Sequence, residues 1–207
     1  VLDPSAIISI TSQGTIRIFG DNDNAITFGG AVMSLASRDI AISAGARIGA
    51  FSMNFVSLDN ELPGILGGLG TPEGGVTGEG YSLIGEELER LEVGSFSFIQ
   101  PQLVERGSNS PDLILRDILA SGSLDDGVSN SVIAVAGANG IARVDGVVAL
   151  SDASVEDSFS LFAENRIEIV TPGGIGIVDP DGEPTGRIFL GSNHIWVADS
   201  DLIALLE

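Results

Sequence analysis

The sequence has no cysteine and no lysine, and it has one histidine, one tryptophan and one tyrosine in 207 residues. Without cysteine there are no disulfides, thiolate zinc sites or thiol chemistry, and folding needs no oxidising compartment, which suits an exported chain. A lone histidine, His194, excludes metal sites built on two imidazoles and leaves any Ser-His-Asp triad dependent on that one residue. Positive charge is equally scarce. Nine arginines face 29 acidic residues, a net charge of −20. That field repels phosphate backbones and anionic lipid, which argues against a nucleic-acid partner. No apolar run approaches the roughly 18 residues of a membrane span, so no insertion into a bilayer is expected. The start, Val1-Leu2-Asp3-Pro4, has neither an initiator methionine nor a signal sequence and reads as a processed or excised piece.

What the chain does have is glycine at 28 positions and 43% apolar residues, of which few are aromatic. Such a composition favours thin layers of Val, Ile, Leu and Ala between many tight turns over one large core. Period-two alternation recurs at Ile8-Ser9-Ile10, Ile16-Arg17-Ile18, Ile40-Ala41-Ile42, Ile141-Ala142-Arg143-Val144, Ile167-Glu168-Ile169 and Ile175-Gly176-Ile177. The intervals are too short for the helix of a βαβ crossover.

Three segments align without gaps: residues 35–42, 162–169 and 190–197. Six positions beyond each come Ile48, Ile175 and Ile203, so strand, turn and strand recur as a unit. Asn165 and Asn193 share a turn position suited to left-handed backbone, or are simply surface turn residues. The last two copies are 28 residues apart, and residues 179–186 between them read as an inserted polar loop. A bare rung is then about 20 residues long, and about nine rungs spaced at roughly 4.8 Å would extend roughly 40 Å. The expected fold is all-β: a single-stranded parallel β-helix over 1–207, a segment of a longer chain. Residues 59–92, with nine glycines and eight acidic residues, read as an excursion from it. Within that excursion 64–80 is expected to be a loop and 85–91 a short helix lying across a flank.

Acidic turns offer the hard oxygen ligands that calcium takes. Asp179, Asp181 and Glu183 are the leading set, followed by Asp21-Asn22-Asp23-Asn24 and Asp125-Asp126-Gly127. Exposed turns choose the same residues for backbone reasons, so calcium is a possible ligand only, and no other cofactor is expected. Grouped with Arg187, the first set would also serve a β-helix polysaccharide lyase or hydrolase. Trp196 falls at an outward position of its strand, two residues from His194, and the pair forms a candidate binding surface. The glycine-rich stretch lacks the lysine of a phosphate-binding loop.

The run Tyr81-Ser82-Leu83-Ile84-Gly85-Glu86-Glu87-Leu88-Glu89-Arg90-Leu91, followed by Gly94-Ser95-Phe96-Ser97-Phe98, resembles a helix-then-strand phrase of filamentous-haemagglutinin-like large bacterial exoproteins. Asp112-Leu113-Ile114-Leu115-Arg116-Asp117-Ile118 and the three aligned copies are similar to the rungs of those proteins. The resemblance implies a right-handed β-helix, secretion to a Gram-negative cell surface and a role in adhesion, and no catalytic motif carries over with it. The expectation is a non-catalytic stalk segment of an adhesin-like exoprotein. Its partners would be a host-surface glycan or protein, or neighbouring copies of the same filament.

Overall fold

A computed structural model of the chain describes residues 6–20, 25–68, 80–101, 111–119, 131–137, 139–151, 158–170, 174–178 and 186–197. These are mostly strand, with one four-residue helix, and every strand pairing is parallel. The elements are β1 (Ile7–Thr11), β2 (Thr15–Ile18), β3 (Ala25–Ser37), β4 (Asp39–Ile42), β5 (Arg47–Ser57), β6 (Gly64–Gly67), β7 (Ser82–Leu83), α1 (Gly85–Leu88) and β8 (Leu91–Gln100). After these come β9 (Leu113–Arg116), β10 (Ile118–Leu119), β11 (Ser131–Ala136), β12 (Ile141–Val144), β13 (Val147–Ser151), β14 (Ser158–Ile169), β15 (Gly174–Val178) and β16 (Arg187–Val197).

The first ladder is the longest. β1, β3, β5, β8, β11, β14 and β16 lie side by side, with Ile7 opposite Val32, Val32 opposite Ser52, Ser52 opposite Ser95, Ser95 opposite Ser131, Ser131 opposite Ser158 and Ser158 opposite Arg187. The step from Val32 to Ser52 is the bare 20-residue rung that the repeat predicts. The other steps are longer. Seven strands lie in this ladder among the described residues.

In-register parallel stacking puts chemically similar side chains directly above one another, because successive side chains of a strand alternate between faces. One inward column runs Ile8, Met33, Met53, Phe96, Val132, Phe159, Ile188. The next runs Ile10, Leu35, Phe55, Phe98, Ala134, Leu161, Leu190. Away from the outer strands β1 and β16 these residues are buried. On the opposite face Ser95 Oγ donates to Ser52 Oγ at 2.8 Å and Ser97 Oγ donates to Asn54 Oδ1 at 2.6 Å, so polar residues are stacked there as the apolar ones are inside.

Further along the chain the strands form a second group of pairings, divided between two sheets. β2 pairs β4, and β7, β6, β9, β12, the second half of β14 and the second half of β16 form the rest. Its inward column is Leu83, Leu66, Leu115, Val144, Ile169, Val197. A third group of pairings joins the opening segments of β3, β5 and β8 and, in a separate three-stranded sheet, β10, β13 and β15. Among the described residues, buried side chains from all three groups, such as Met53, Leu115 and Ile175, belong to one hydrophobic core.

The ungapped alignment of 162–169 with 190–197 holds only in its second half. Ile167 faces Ile195, but before the corner Leu161 faces Leu190 and Phe162 faces Gly191. Glu164 and Asn165 together oppose Asn193, a bulge that turns β14 from the first ladder into the second group. Leu161 is therefore a core residue, and Phe162 is 41% exposed. The ring crosses the next rung at Gly191, where a Cβ would lie 2.4 Å from Phe162 Cδ1.

The start of the expected loop over 64–80 differs, and residues 69–79 of it lie outside the described residues. Gly64–Gly67 is a buried strand, β6, between β9 and β7. Gly67 has φ +88°, and a Cβ there would fall 1.9 Å from the Arg116 carbonyl oxygen, so only glycine fits this edge of the rung. The helix is shorter than the sequence suggests and does not lie on a flank, because Glu87 and Leu88 point into the core.

Candidate functional site

The chain order β6 then β7 is reversed in space. β6 pairs both β7 and β9, so the chain passes over one strand position, leaves, and comes back to fill it with β7 and α1. β4 lies on the far side of that position, and β4 and β7 have no ladder between them. Backbone N–H and C=O groups at such a junction must find other partners or carry a desolvation penalty of about 1–3 kcal/mol each.

Carboxylates supply them. Glu87 Oε1 accepts the Ile42 N–H of β4 at 2.8 Å, while its Oε2 accepts the Ile84 N–H at 3.0 Å. The Arg90 guanidinium donates to the Ile42 carbonyl, and also to Glu86 Oε2 at 3.3 Å. Glu87 and Arg90 thus offer Ile42 the acceptor and the donor that a neighbouring strand would have offered. The Glu87 to Ile84 bond also serves α1, whose N-cap Ile84 has no polar side chain. From the other side Asp39 Oδ1 accepts the Ser82 N–H at 3.2 Å.

The residues around this junction are buried and titratable. Burial pushes the Glu87 carboxyl up to about 7, against the hydrogen bonds from Ile42 and Ile84, and nearby Asp39 adds to the rise. Burial also raises Asp39, with the Ser82 and Ile40 backbone bonds opposing it. Tyr81 is fully buried, and its phenol is raised, first by burial and then by the charges of Asp39 and Glu87. Its hydroxyl lies beside Ser37, whose Oγ donates to the Asp39 carbonyl at 2.7 Å, and has no partner at hydrogen-bond distance. The ring meets Phe98 edge-on, with centroids 5.4 Å apart.

The same use of acids recurs along the corners. Asp112 Oδ2 accepts Ile141 N–H at 2.8 Å, Asp117 Oδ1 accepts Val147 N–H at 3.1 Å, Glu164 Oε2 accepts Asn139 N–H at 2.8 Å, and Asp59 Oδ1 accepts Glu61 and Leu62 N–H. Part of the acidity of the sequence is therefore structural: carboxylates hold the backbone where ladders end. A different arrangement surrounds Glu168, which is 7% exposed and receives Arg143 Nε at 2.8 Å and Arg166 Nε at 2.7 Å.

Few of the candidates taken from the sequence fall within the described residues. Asp179, Asp181 and Glu183 lie outside the described residues, as do 21–24 and 125–127; Arg187 opens β16 and is exposed. His194 and Trp196 sit on β16 opposite Arg166 and Glu168, and Trp196 is 51% exposed beside the equally open Ile195. They share a strand edge but no enclosed site. An open groove of about 530 Å³ lies at the β11, β14 and β16 corner, lined by Gly137, Phe162, Glu164, Gly191 and Asn193 among others. Among the described residues no three His, Asp or Glu side chains gather as metal ligands, and no helix is long and apolar enough to cross a membrane.

Sequence reasoning missed the Asp39, Tyr81, Glu87 and Arg90 junction. One signal was available: a glutamate three residues after Ile84, at the start of a helix with no polar cap of its own. Comparison with known proteins finds no family that matches the chain, no similar curated protein and no similar solved structure.

Proposed function

We propose that the chain is a right-handed parallel β-helix that acts as a stiff, non-catalytic stalk segment of a secreted, adhesin-like bacterial exoprotein. The observation that carries this reading is the seven-strand in-register ladder, whose two inward columns run from β1 to β16. Stacking of this kind extends along one axis and transmits load through backbone hydrogen bonds and packed apolar columns. Except at β6 and β7, the chain runs from the first ladder through the second group of strands to the third before it returns, the order a helical coil would give. Right-handedness follows from the preference of parallel crossover connections and agrees with the resemblance to filamentous-haemagglutinin-like rungs.

The test is where the chain resides and what it does there. An antibody against the folded protein should label intact producing cells, and the purified protein should leave a panel of acidic and neutral polysaccharides uncut. Labelling only after permeabilisation, or release of oligosaccharides abolished by Arg187→Ala, would overturn it.

A second reading is favoured by the half-exposed Trp196 next to His194 on β16. On that reading this edge recognises a host glycan or protein. A specific hit on a glycan array, lost in Trp196→Ala, supports it, and an array without hits removes it.

A further inference from the structure

Several irregularities of the first ladder meet at one corner. Its outward column runs Thr11, Ala36, Val56, Ile99, Val135, Phe162, Gly191, so small and aliphatic residues fill it until an aromatic ring is followed by a residue with no side chain. Phe162 needs that gap, because a Cβ on Gly191 would stand 2.4 Å from its Cδ1 and 2.8 Å from its Cε1. Just beyond lies the bulge that sets Glu164 and Asn165 against Asn193, and bulges re-aim side chains beside binding sites. The groove of about 530 Å³ sits here, over residues 135–137, 162–164 and 191–193 of three adjacent rungs. At roughly 4.8 Å per rung it runs about 10 Å along the ladder, and its volume falls within the range of about 300–1,000 Å³ that small ligands occupy.

Its lining selects a chemistry. The half-exposed Phe162 ring supplies an apolar platform. Around it the rim is polar: Glu164 Oε2 is fixed by the Asn139 N–H at 2.8 Å, Ser192 Oγ accepts the His194 N–H at 3.3 Å and keeps its own proton to donate, and the exposed Asn193 amide carries both donors and an acceptor. No arginine lines the groove, and Glu164 together with the net charge of −20 disfavours an anion. One phenyl ring is not the aromatic cage that organic cations select, and a wholly apolar compound would leave the rim groups unpaired. A sugar ring has what fits: no charge, a C–H face for the phenyl ring and hydroxyls around its edge.

We propose that this groove binds a neutral saccharide chain, with one sugar ring stacked on Phe162 and its hydroxyls bonded to Glu164, Ser192 and Asn193. The site lies on the outer face of the first ladder, whereas Trp196 lies beyond the corner opposite Glu168. It requires only the folded chain, so it stands or falls separately from the stalk reading.

Amide NMR spectra of the full chain, titrated with cellopentaose, xylohexaose and maltohexaose to roughly 5 mM each, test this, with oligogalacturonate as the charged control. At least one neutral probe should shift the Gly137, Gly191 and Asn193 amides with a Kd of about 1 mM or tighter, and oligogalacturonate should not. Phe162→Ala removes the platform, and Gly191→Ala fills the gap and pushes the exposed ring aside; each should weaken binding about tenfold or more. Absence of shifts at these amides with all three neutral probes overturns the proposal. So does equal binding of oligogalacturonate, an affinity unchanged by either variant, or shifts centred on Ile195 and Trp196 instead.

Discussion

Truncating Leu161 and truncating Phe162 should have opposite ranks to those their size suggests. Leu161 is fully buried, between Ala134 on one rung and Leu190 on the next. Leucine-to-alanine changes in cores cost about 2–5 kcal/mol, more where the walls cannot close on the cavity. The neighbour Ala134 is already small and its strand is held by ladder bonds on both sides, so collapse is limited and the cost should be about 3–4 kcal/mol. Phe162 is larger but 41% exposed, with its ring lying over the Gly191 backbone. Full burial of such a side chain contributes about 1.5–3 kcal/mol, and little more than half of it applies, so Phe162→Ala should cost about 1 kcal/mol and leave no closed void. Urea denaturation followed by far-UV circular dichroism reads the difference, and equal m-values would show that both variants unfold the same structure. If Phe162→Ala cost as much as Leu161→Ala or more, the bulge at Glu164 and Asn165 would be misplaced and the ungapped register correct.

Other perturbations probe the corners. Gly67→Ala should destabilise by about 2 kcal/mol or more, through positive φ and the close Arg116 carbonyl, whereas Gly14→Ala, which meets only Ser12 Oγ at 3.9 Å, should stay within about 0.5 kcal/mol; paired urea midpoints compare them. Glu87→Ala leaves the Ile42 and Ile84 amides without their acceptor and should cost about 2–4 kcal/mol, read by the same assay at pH 6. Glu168→Ala removes the shared partner of Arg143 and Arg166 and should cost about 1–2 kcal/mol, discounted because both arginines are about one-third exposed, with a smaller loss at high salt. Since Glu87 and Asp39 are both raised in the folded protein, stability should fall as pH rises from about 5 to 8, by on the order of 2–3 kcal/mol; a midpoint that climbs over that range contradicts the assignment.

Much of the strand framework was legible, because period-two runs such as Ile40-Ala41-Ile42 and Ile167-Glu168-Ile169 announce half-buried strands and their spacing leaves no room for crossover helices. The 20-residue rung was legible for the same reason. The corner bulge was not, since Glu164 and Asn165 look like any polar pair and nothing local says that two residues will face one. Gly64-Ile65-Leu66-Gly67 was hidden by its glycines. They signal a loop in isolation, but here Gln100 presses on Gly64 and Gly67 adopts positive φ inside a packed rung. The junction was hidden for a third reason. Carboxylates are expected in water or around a cation, and only the tertiary pairing shows that Asp39, Glu87 and Asp112 are partners for backbone amides where ladders stop. The exposed Trp196 and His194 could be placed on their strand from sequence, but whether anything binds there depends on surfaces that periodicity does not describe.

The central claim is the in-register stack, and because the native chain has no cysteine, spin labels can be placed on it cleanly. Ser52, Ser95 and Ser158 occupy one outward column, with one rung step from 52 to 95, two from 95 to 158 and three from 52 to 158. Pairwise electron paramagnetic resonance distances between labels at these positions should increase in that order, by roughly 4.8 Å per rung, to about 14 Å across three steps. Distances that fail to rank with rung number, or a 52 to 158 separation well beyond this range, would contradict the account.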